Sequence, residues 1–423
     1  MNRADSASQF SRFTDFTTLP GYSELKLQRG AAEVAGIGNP FFRTHDRRAG
    51  ARTWIDGREL VNFASYDYLG LNGHPEVMAA AKAAIDHYGL SSSASRLVAG
   101  ERPAHRRLES ALADLYDAED CAVFVSGYMT NLGVIGHLLG PKDLFVYDAA
   151  IHNSAMIGGV LSGATRRSFP HNDMAALDQL LASMRHRYER VLIAVEGLYS
   201  MDGDVPDLPA LIEIKKRHGA WLMVDEAHAL GVLGARGRGI HEHFGANAHD
   251  VDIWMGTLSK TLAGCGGYIA GSGELTDYLK LTVGAFVYSV GLPPAWAEGC
   301  AKAIEIMKRE PERVRRLQDN ALLFKRLAGE AGLDIAQATG AAVVPVLVGN
   351  SIAAVMLSER LFARGFNVLP IIHPAVAPNA ARLRFFLTSE HTEEDIRVAV
   401  QATAEEVTNL SGASSLIDKV EGR

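Results

Sequence analysis

Lys260 occupies a position suited to covalent chemistry with an aldehyde. It follows the hydrophobic run 251–255, which is typical of a buried strand, and it precedes the glycine-rich segment 263–267. A lysine at a strand end among small residues can be desolvated, and a desolvated amine is a competent nucleophile that forms Schiff bases. Most lysines only keep a protein soluble, so this interpretation needs a second signal elsewhere in the chain.

Asp225 and His228 supply that signal, because they follow another buried-strand pattern at 220–224. Ligands of an open α/β sheet bind outside the carboxyl ends of its strands, so we expect these side chains to converge with Lys260 on one ligand. Pyridoxal 5'-phosphate (PLP) requires a lysine and an acidic partner for its ring nitrogen. Taken singly, Asp225 could be a helix cap and His228 a loop histidine; together with Lys260 they favour a PLP site.

The segment Ser126-Gly127-Tyr128 follows a predicted strand and begins a predicted helix. The free amides and the dipole of a helix start suit a phosphate group. The alternative is an ordinary strand-to-helix turn, with Tyr128 in the core.

Three further residues could contact the same ligand. His152 lies just past a strand, where an imidazole could stack on a cofactor ring or be structural, and Ser200 is a possible hydroxyl donor. Arg384 lies in the apolar strand pattern 381–387, on the same face as Arg382. An arginine there needs a partner, and a substrate carboxylate or an internal salt bridge would serve equally well.

Composition excludes several classes of protein. The chain has 423 residues, 48% of them hydrophobic and 22% charged, as in ordinary globular proteins. A net charge of −7 argues against nucleic-acid binding. The three cysteines show neither metal-ligand spacing nor a disulfide framework, so we expect no metal and a reducing, cytoplasmic compartment. The sequence shows no signal peptide or transmembrane segment, although peripheral membrane contact stays possible.

Strand and helix patterns alternate through the first half of the chain. Helices are predicted at 75–88, 104–116, 128–138, 152–161 and 208–217, and strands at 121–125, 143–147, 191–196 and 221–225. This alternation predicts an α/β fold with a mainly parallel central sheet and helices on both faces.

We divide the chain into an N-terminal arm (1–55), a large domain (56–292) and a smaller α+β domain (293–423). In the smaller domain we expect one long helix from 295 to about 329 and strands near 342–348 and 381–387.

Together, these motifs closely resemble the α-oxoamine synthases, a branch of the fold-type I PLP enzymes that includes serine palmitoyltransferase and 8-amino-7-oxononanoate synthase. The resemblance runs from about residue 62 to the final helix. It rests on the ordered motifs Asn62–Gly70, Ser126–Tyr128, His152, Glu196–Asp204, Asp225–His228, Thr257–Lys260 and Leu383–Arg384.

The resemblance implies a role for each site residue. Lys260 would hold PLP and then transfer protons, while Asp225 would pair with the ring nitrogen. His228 would bond the phenolic oxygen, with Ser200 nearby, and His152 would stack on the ring. The phosphate would be surrounded by Ser126, Gly127, Tyr128, Thr257 and Ser259. Arg384 would take the amino-acid carboxylate, and Tyr66 would contact the acyl substrate.

The resemblance also implies a reaction and a partner. The reaction would be a decarboxylating Claisen condensation of a small amino acid with an acyl-CoA or acyl-carrier-protein thioester. The family forms homodimers with the site between subunits, so Ser289 could reach the neighbour's phosphate.

Departures from the family pattern bear on the substrate. Tyr66 and the pair Ser95-Arg96 are similar to serine palmitoyltransferases, which favours serine, then alanine or glycine, with a long acyl chain and a role in sphingolipid synthesis. The loop 371–376 and His152-Asn153-Ser154 differ from the common versions, which keeps a secondary-metabolism enzyme open. The alternatives are an 8-amino-7-oxononanoate synthase, using alanine and a pimeloyl thioester, and an aminotransferase. A non-catalytic partner subunit is disfavoured, because Lys260 is present.

Overall fold

The structure is a computed structural model that describes residues 13–23, 25–26, 30 and 38–420, with side chains as far as residue 410. The remainder of the predicted N-terminal arm lies outside the described residues. No helix in the described part of the chain is long and apolar enough to cross a membrane.

A seven-stranded sheet forms the centre of the fold, in the order β3-β9-β8-β7-β6-β4-β5. Its strands are β3 (Asp120–Phe124), β4 (Leu144–Asp148), β5 (Thr165–Phe169), β6 (Val191–Glu196), β7 (Trp221–Asp225), β8 (Ile253–Thr257) and β9 (Gly267–Gly271). Strands β4 to β8 pair in parallel, and β9 is antiparallel to both β3 and β8. The prediction of a mainly parallel sheet is therefore confirmed.

Both faces of this sheet are buried. In β6, Val191, Ile193 and Val195 belong to one hydrophobic core, whereas Leu192 and Ala194 belong to a second core. Alternate residues of a strand point to opposite faces, so each core covers one face of the sheet. Helices from the first half of the chain contribute to both cores, and the doubly covered α/β fold is confirmed.

The helices of the large α/β region are α1 (Pro75–Tyr88), α2 (Pro103–Leu115), α3 (Gly127–Leu138), α4 (Asn153–Ser162), α5 (Met174–Met184), α6 (Leu208–His218), α7 (Ile240–Phe244), α8 (Gly273–Thr282) and α9 (Gly284–Val287). The later helices are α10 (Pro294–Arg309), α11 (Glu312–Glu330), α12 (Ser351–Ala363) and α13 (Glu393–Val420).

Two small sheets complete the fold. One has the antiparallel order β10-β13-β12, formed by Val343–Gly349, Ala381–Phe386 and Pro370–Ile371. The other joins the hairpin β1 (Arg52–Ile55) and β2 (Arg58–Asn62) to β11 (Phe366–Asn367). The second sheet ties the start of the described core to the C-terminal region, and the domain boundaries at 55 and 292 stay predictions.

The structure corrects the expectation of one helix from 295 to 329. The chain forms α10 and α11 with a break at Glu310 and Pro311. Proline has no N–H to donate, and it disfavours the helical conformation of the residue before it. Glu310 accordingly leaves the helical region, with φ −120° and ψ 62°.

Candidate active site

A cavity of about 420 Å³ lies at the carboxyl edge of the central sheet. It is lined by all the predicted site residues except Ser289, namely Tyr66, Ser126, Gly127, Tyr128, His152, Ser200, Asp225, His228, Thr257, Ser259, Lys260 and Arg384. A larger cavity of about 840 Å³ opens at the opposite edge, beside Trp221 and Asp252, and contains none of these residues. None of the residues predicted to take part in catalysis or cofactor binding therefore lies in the larger cavity.

Lys260 follows the end of β8, is half-buried and lines the cavity. Burial lowers the pKa of its amine to about 8, against the opposing effect of the negative charges of Asp225 and Glu196. A larger share of the amine is consequently uncharged near neutral pH than in an ordinary lysine. This amine is suited to condense with an aldehyde and to exchange a proton.

A chain of hydrogen bonds fixes Asp225 at the end of β7. Its Oδ2 accepts a bond of 2.9 Å from Asn131 Nδ2, and the same Nδ2 donates to Ser154 Oγ at 2.9 Å. Ser154 Oγ lies 2.6 Å from His152 Nδ1. The carboxylate and the His152 ring are thus held in one network that crosses from β7 to the start of α4.

Burial favours the uncharged form of both histidines of the cavity. Burial lowers the pKa of His152 and, with the nearby Lys260 and Arg384 charges, holds the pKa of His228 well below its usual range. His228 Nδ1 lies 2.6 Å from the hydroxyl of the buried Tyr68. Its ring is therefore oriented by a partner that sequence reasoning did not assign to the site.

The start of α3 lies against the end of β8. A Cβ atom on Gly127 would come within 2.9 Å of Thr257 Oγ1, so a larger residue would crowd the space between them. Thr257 Oγ1 and Ser259 Oγ are 2.8 Å apart, and both hydroxyls border the cavity. The first turn of a helix has free N–H groups, so amides and hydroxyls together form a site for a phosphate.

The two arginines of β13 have different partners. Arg382 pairs with Asp202, whereas Arg384 forms no ion pair with any described residue. Arg384 Nη1 instead donates to the backbone oxygen of Ser200 at 2.7 Å, and its buried Nε has no hydrogen-bond partner among the described residues. The internal salt bridge that was one alternative for Arg384 is thus absent from the described chain, and its guanidinium is available to an anion.

Tyr66 lies beside Lys260, and its ring packs edge-on against Phe386 with centroids 4.7 Å apart. Lys260 Nζ is 5.6 Å from the centre of the Tyr66 ring. Ser289 does not line this cavity and is flanked by the exposed residues Tyr288 and Val290.

Several residues of the cavity escaped sequence reasoning as individuals. Glu196 ends β6 beside Asp225, lies only 3% exposed, and has its pKa raised to about 8 by burial. Asn131 comes one helical turn after Gly127, and Ser154 follows His152 by two residues. The short spacing of Asn131 from Gly127 and of Ser154 from His152 could have identified these two residues from the sequence. Glu196 offered no such signal, because a carboxylate at a strand end or in a turn is usually only solvated.

The arrangement fits PLP. The cavity has an amine for the aldehyde, a fixed carboxylate for the ring nitrogen, and a glycine-opened cradle with hydroxyls for the phosphate. Asp225, Lys260 and the cradle come from β7, β8 and the start of α3, which place them at one edge of the sheet.

Comparisons with known proteins agree with this geometry. A model of the aminotransferase class I and II family matches residues 58–402. The chain is 42% identical over 356 residues to 8-amino-7-oxononanoate synthase of Methylococcus capsulatus, covering 84% of this chain and 91% of the relative.

Solved structures show the same similarity. Serine palmitoyltransferase from S. paucimobilis superposes with a TM-score of 0.89 at 27% identity, covering 94% of this chain and 99% of the other. The corresponding values for 8-amino-7-oxononanoate synthase from Francisella tularensis are a TM-score of 0.72, 25% identity, and coverage of 83% and 98%. The predicted cofactor and fold type are confirmed, and the chain belongs to the aminotransferase class I and II family and, within it, to the PLP-dependent α-oxoamine synthases.

Proposed function

We propose that the protein condenses a small amino acid with an acyl thioester, releasing the thiol and carbon dioxide and leaving an α-amino ketone. The observation that carries this proposal is Arg384, a guanidinium without a carboxylate partner in the described chain, in the same cavity as the depressed-pKa amine of Lys260. A free amino acid presents both an amine and a carboxylate, so it matches this pair of groups.

Bound PLP supplies an electron sink for the substrate α-carbon. The protein's own groups supply the rest. The Asp225 carboxylate, held by Asn131, would keep a proton on the ring nitrogen of PLP. Lys260 Nζ, with its pKa near 8, is suited to take the α-proton and later return one. Arg384 orients the carboxylate, and His152, whose pKa is lowered by burial, offers a flat ring.

For the substrates, the relatives favour alanine with a pimeloyl thioester. Curated relatives about 40% identical to this chain are named 8-amino-7-oxononanoate synthase. Their named product has a nine-carbon chain, which equals a seven-carbon diacid acyl group plus the two carbons that alanine retains after decarboxylation. This pairing was the alternative of the sequence interpretation, and the relatives support it better than a role in sphingolipid synthesis.

Serine with a long-chain thioester stays a second candidate, because the exposed face of the Tyr66 ring offers apolar surface in the cavity. Within its own subunit, Arg96 of the pair Ser95-Arg96 gives this choice no support. Arg96 is buried, binds Glu101 and Glu109, and does not line the cavity. Its partners show a structural role.

A panel of donors and amino acids tests the substrate proposal. Pimeloyl and palmitoyl thioesters, each on CoA and on acyl carrier protein, would be combined with alanine, serine and glycine, and kcat/KM would be measured. The highest value with alanine and pimeloyl thioester would support the first candidate. If the highest value came from palmitoyl thioester and serine, the function would be long-chain synthesis. Each methylene of the acyl chain that the cavity buries should then contribute about 0.8 kcal/mol to substrate binding.

We also propose a homodimer with shared sites, in which Ser289 reaches the partner's phosphate site. The supporting observation is that Ser289 does not line its own cavity, while its neighbours Tyr288 and Val290 are exposed by 89% and 47%. Large exposed apolar side chains of this kind suit a contact between subunits. A cytoplasmic location belongs to the same proposal and is supported by three free cysteines.

Mixing inactive variants tests the shared site. Lys260→Ala and Ser289→Phe proteins, each inactive alone, should regain part of the activity when they exchange subunits. A fully active monomer by light scattering would contradict the homodimer.

A further inference from the structure

Glu196 has no role in the mechanism above, although it borders the same cavity as Lys260. Glu196 is the last residue of β6 and lies in register with Asp225 on β7. The residue is 3% exposed, so its carboxyl group is sequestered from solvent beside the site. A buried carboxyl needs a reason, because burial without good partners costs free energy.

Two hydrogen bonds connect Glu196 to Arg384 through the backbone of one residue, Ser200. Glu196 Oε2 accepts the N–H of Ser200 at 3.0 Å. The backbone oxygen of Ser200 in turn accepts Arg384 Nη1 at 2.7 Å. Ser200 is itself 6% exposed, so neither bond competes with bulk water.

The Arg384 guanidinium has few other contacts that set its direction. Nη1 lies 3.6 Å from Met201 Sδ, and the guanidinium carbon is 4.7 Å from the centre of the Phe386 ring. Both contacts are soft and weakly directional. The Ser200 carbonyl is therefore the directional contact of Arg384 in the described chain.

We propose that Glu196 is a positioning residue that holds the backbone of Ser200 and thereby aims the Arg384 guanidinium at the substrate carboxylate. This inference rests on the carboxylate-binding role of Arg384 in the proposed function. The protein uses a carboxyl group here rather than an apolar residue because the Ser200 N–H would otherwise be buried without an acceptor.

The ionisation state of Glu196 makes glutamine a faithful replacement. Burial, reinforced by the neighbouring Asp225 charge, raises the pKa of Glu196 to about 8, so the carboxyl is mostly uncharged at neutral pH. Glutamine is uncharged, has the same length, and retains an oxygen that can accept the Ser200 N–H. Leucine fills similar space without an acceptor.

The experiment measures the dissociation constant of the amino acid from the change in visible absorbance of the PLP-loaded protein. Glu196→Leu should weaken amino-acid binding roughly tenfold, as expected for the loss of one hydrogen bond that serves a charged group. Glu196→Gln should restore binding to within about twofold. Ethylamine, which is alanine without its carboxylate, should bind equally well to the wild type, Glu196→Leu and Glu196→Gln.

Glu226→Leu is the matched control. Glu226 is also buried, with a pKa raised to about 8, but it accepts the Ile240 N–H and does not line the cavity. This variant should bind the amino acid as the wild type does.

Three outcomes overturn the inference, and a fourth separates it from the proposed function. Unchanged amino-acid affinity in Glu196→Leu, or equal losses in Glu196→Leu and Glu196→Gln, would refute the positioning role. If Glu196→Leu weakened binding of the amine as much as of the amino acid, the effect would not pass through Arg384. If Arg384→Met left the affinity for the amino acid unchanged, this result would refute the proposed role of Arg384 in binding the carboxylate, whatever the role of Glu196.

Discussion

Replacing Arg384 by methionine removes the guanidinium and keeps a side chain of similar length that can still pack on Phe386. The substrate carboxylate then enters a partly enclosed cavity without its partner. Truncating one partner of a buried hydrogen-bonded charge pair costs about 2–5 kcal/mol, and we take the lower part of this range because Arg384 is only half-buried. A loss of about 2–3 kcal/mol corresponds to amino-acid binding weakened roughly 30- to 150-fold.

The assay is an absorbance titration of the PLP-loaded protein with alanine and with ethylamine, which lacks the carboxylate. Alanine binding should weaken in Arg384→Met, and ethylamine binding should not change. Arg384→Lys keeps the charge but loses the forked donor geometry, so it should recover only part of the affinity.

Arg382→Met is the control for the charge change, because Arg382 lies on the same strand and already pairs with Asp202. It should lose several-fold less affinity for alanine than Arg384→Met. Equal alanine affinity in wild type and Arg384→Met would refute the assignment of Arg384.

Three further predictions concern Lys260 and Asp225 of the site and His171, which does not line the cavity. Because the pKa of Lys260 is about 8, covalent uptake of PLP by the apoprotein should accelerate with pH up to about 8 and level off above it, which stopped-flow absorbance measures. Asp225→Asn should retain PLP but release the substrate α-proton much more slowly; a normal rate of hydrogen–deuterium exchange at that carbon would argue against the pairing of Asp225 with the ring nitrogen. His171 lies between Asp148 and Asp204, which raise its pKa to about 10 against the effect of burial. Its folded pKa exceeds the unfolded value near 6.5, so its stabilisation is full below pH 6.5 and is lost toward pH 10; the fall in Tm over this range should be smaller in His171→Gln.

The sequence predicted the central sheet well where apolar runs end in polar residues. Strands β6 and β7 were predicted with their observed bounds, because each is a short apolar run that ends in a carboxylate. Strand β9 was missed, since its first residue, Gly267, was read as part of the glycine-rich segment after Lys260. The hairpin β1–β2 was missed as well, because residues 1–55 were assigned to an arm and the local turn signal Asp56-Gly57 between the two strands was overlooked.

Most of the candidate site could be assembled from the sequence because most of its residues follow strands of the central sheet, and parallel strands bring their carboxyl ends to one edge. What the sequence could not show were the partners fixed by tertiary structure. Asn131 reaches Asp225 across 94 positions, and Tyr68 reaches His228 across 160. Likewise, only the structure shows that Arg382 pairs with Asp202 while Arg384 does not.

The most direct test of the central claim follows the carboxyl carbon of the amino acid. Alanine labelled at that carbon would be incubated with the PLP-loaded protein and a pimeloyl thioester, and labelled carbon dioxide and free thiol would be measured together. We predict that both are released in equal amounts, that neither forms without thioester, and that Lys260→Ala releases neither. Transfer of the amino group to a keto acid, without release of labelled carbon dioxide, would contradict the condensation.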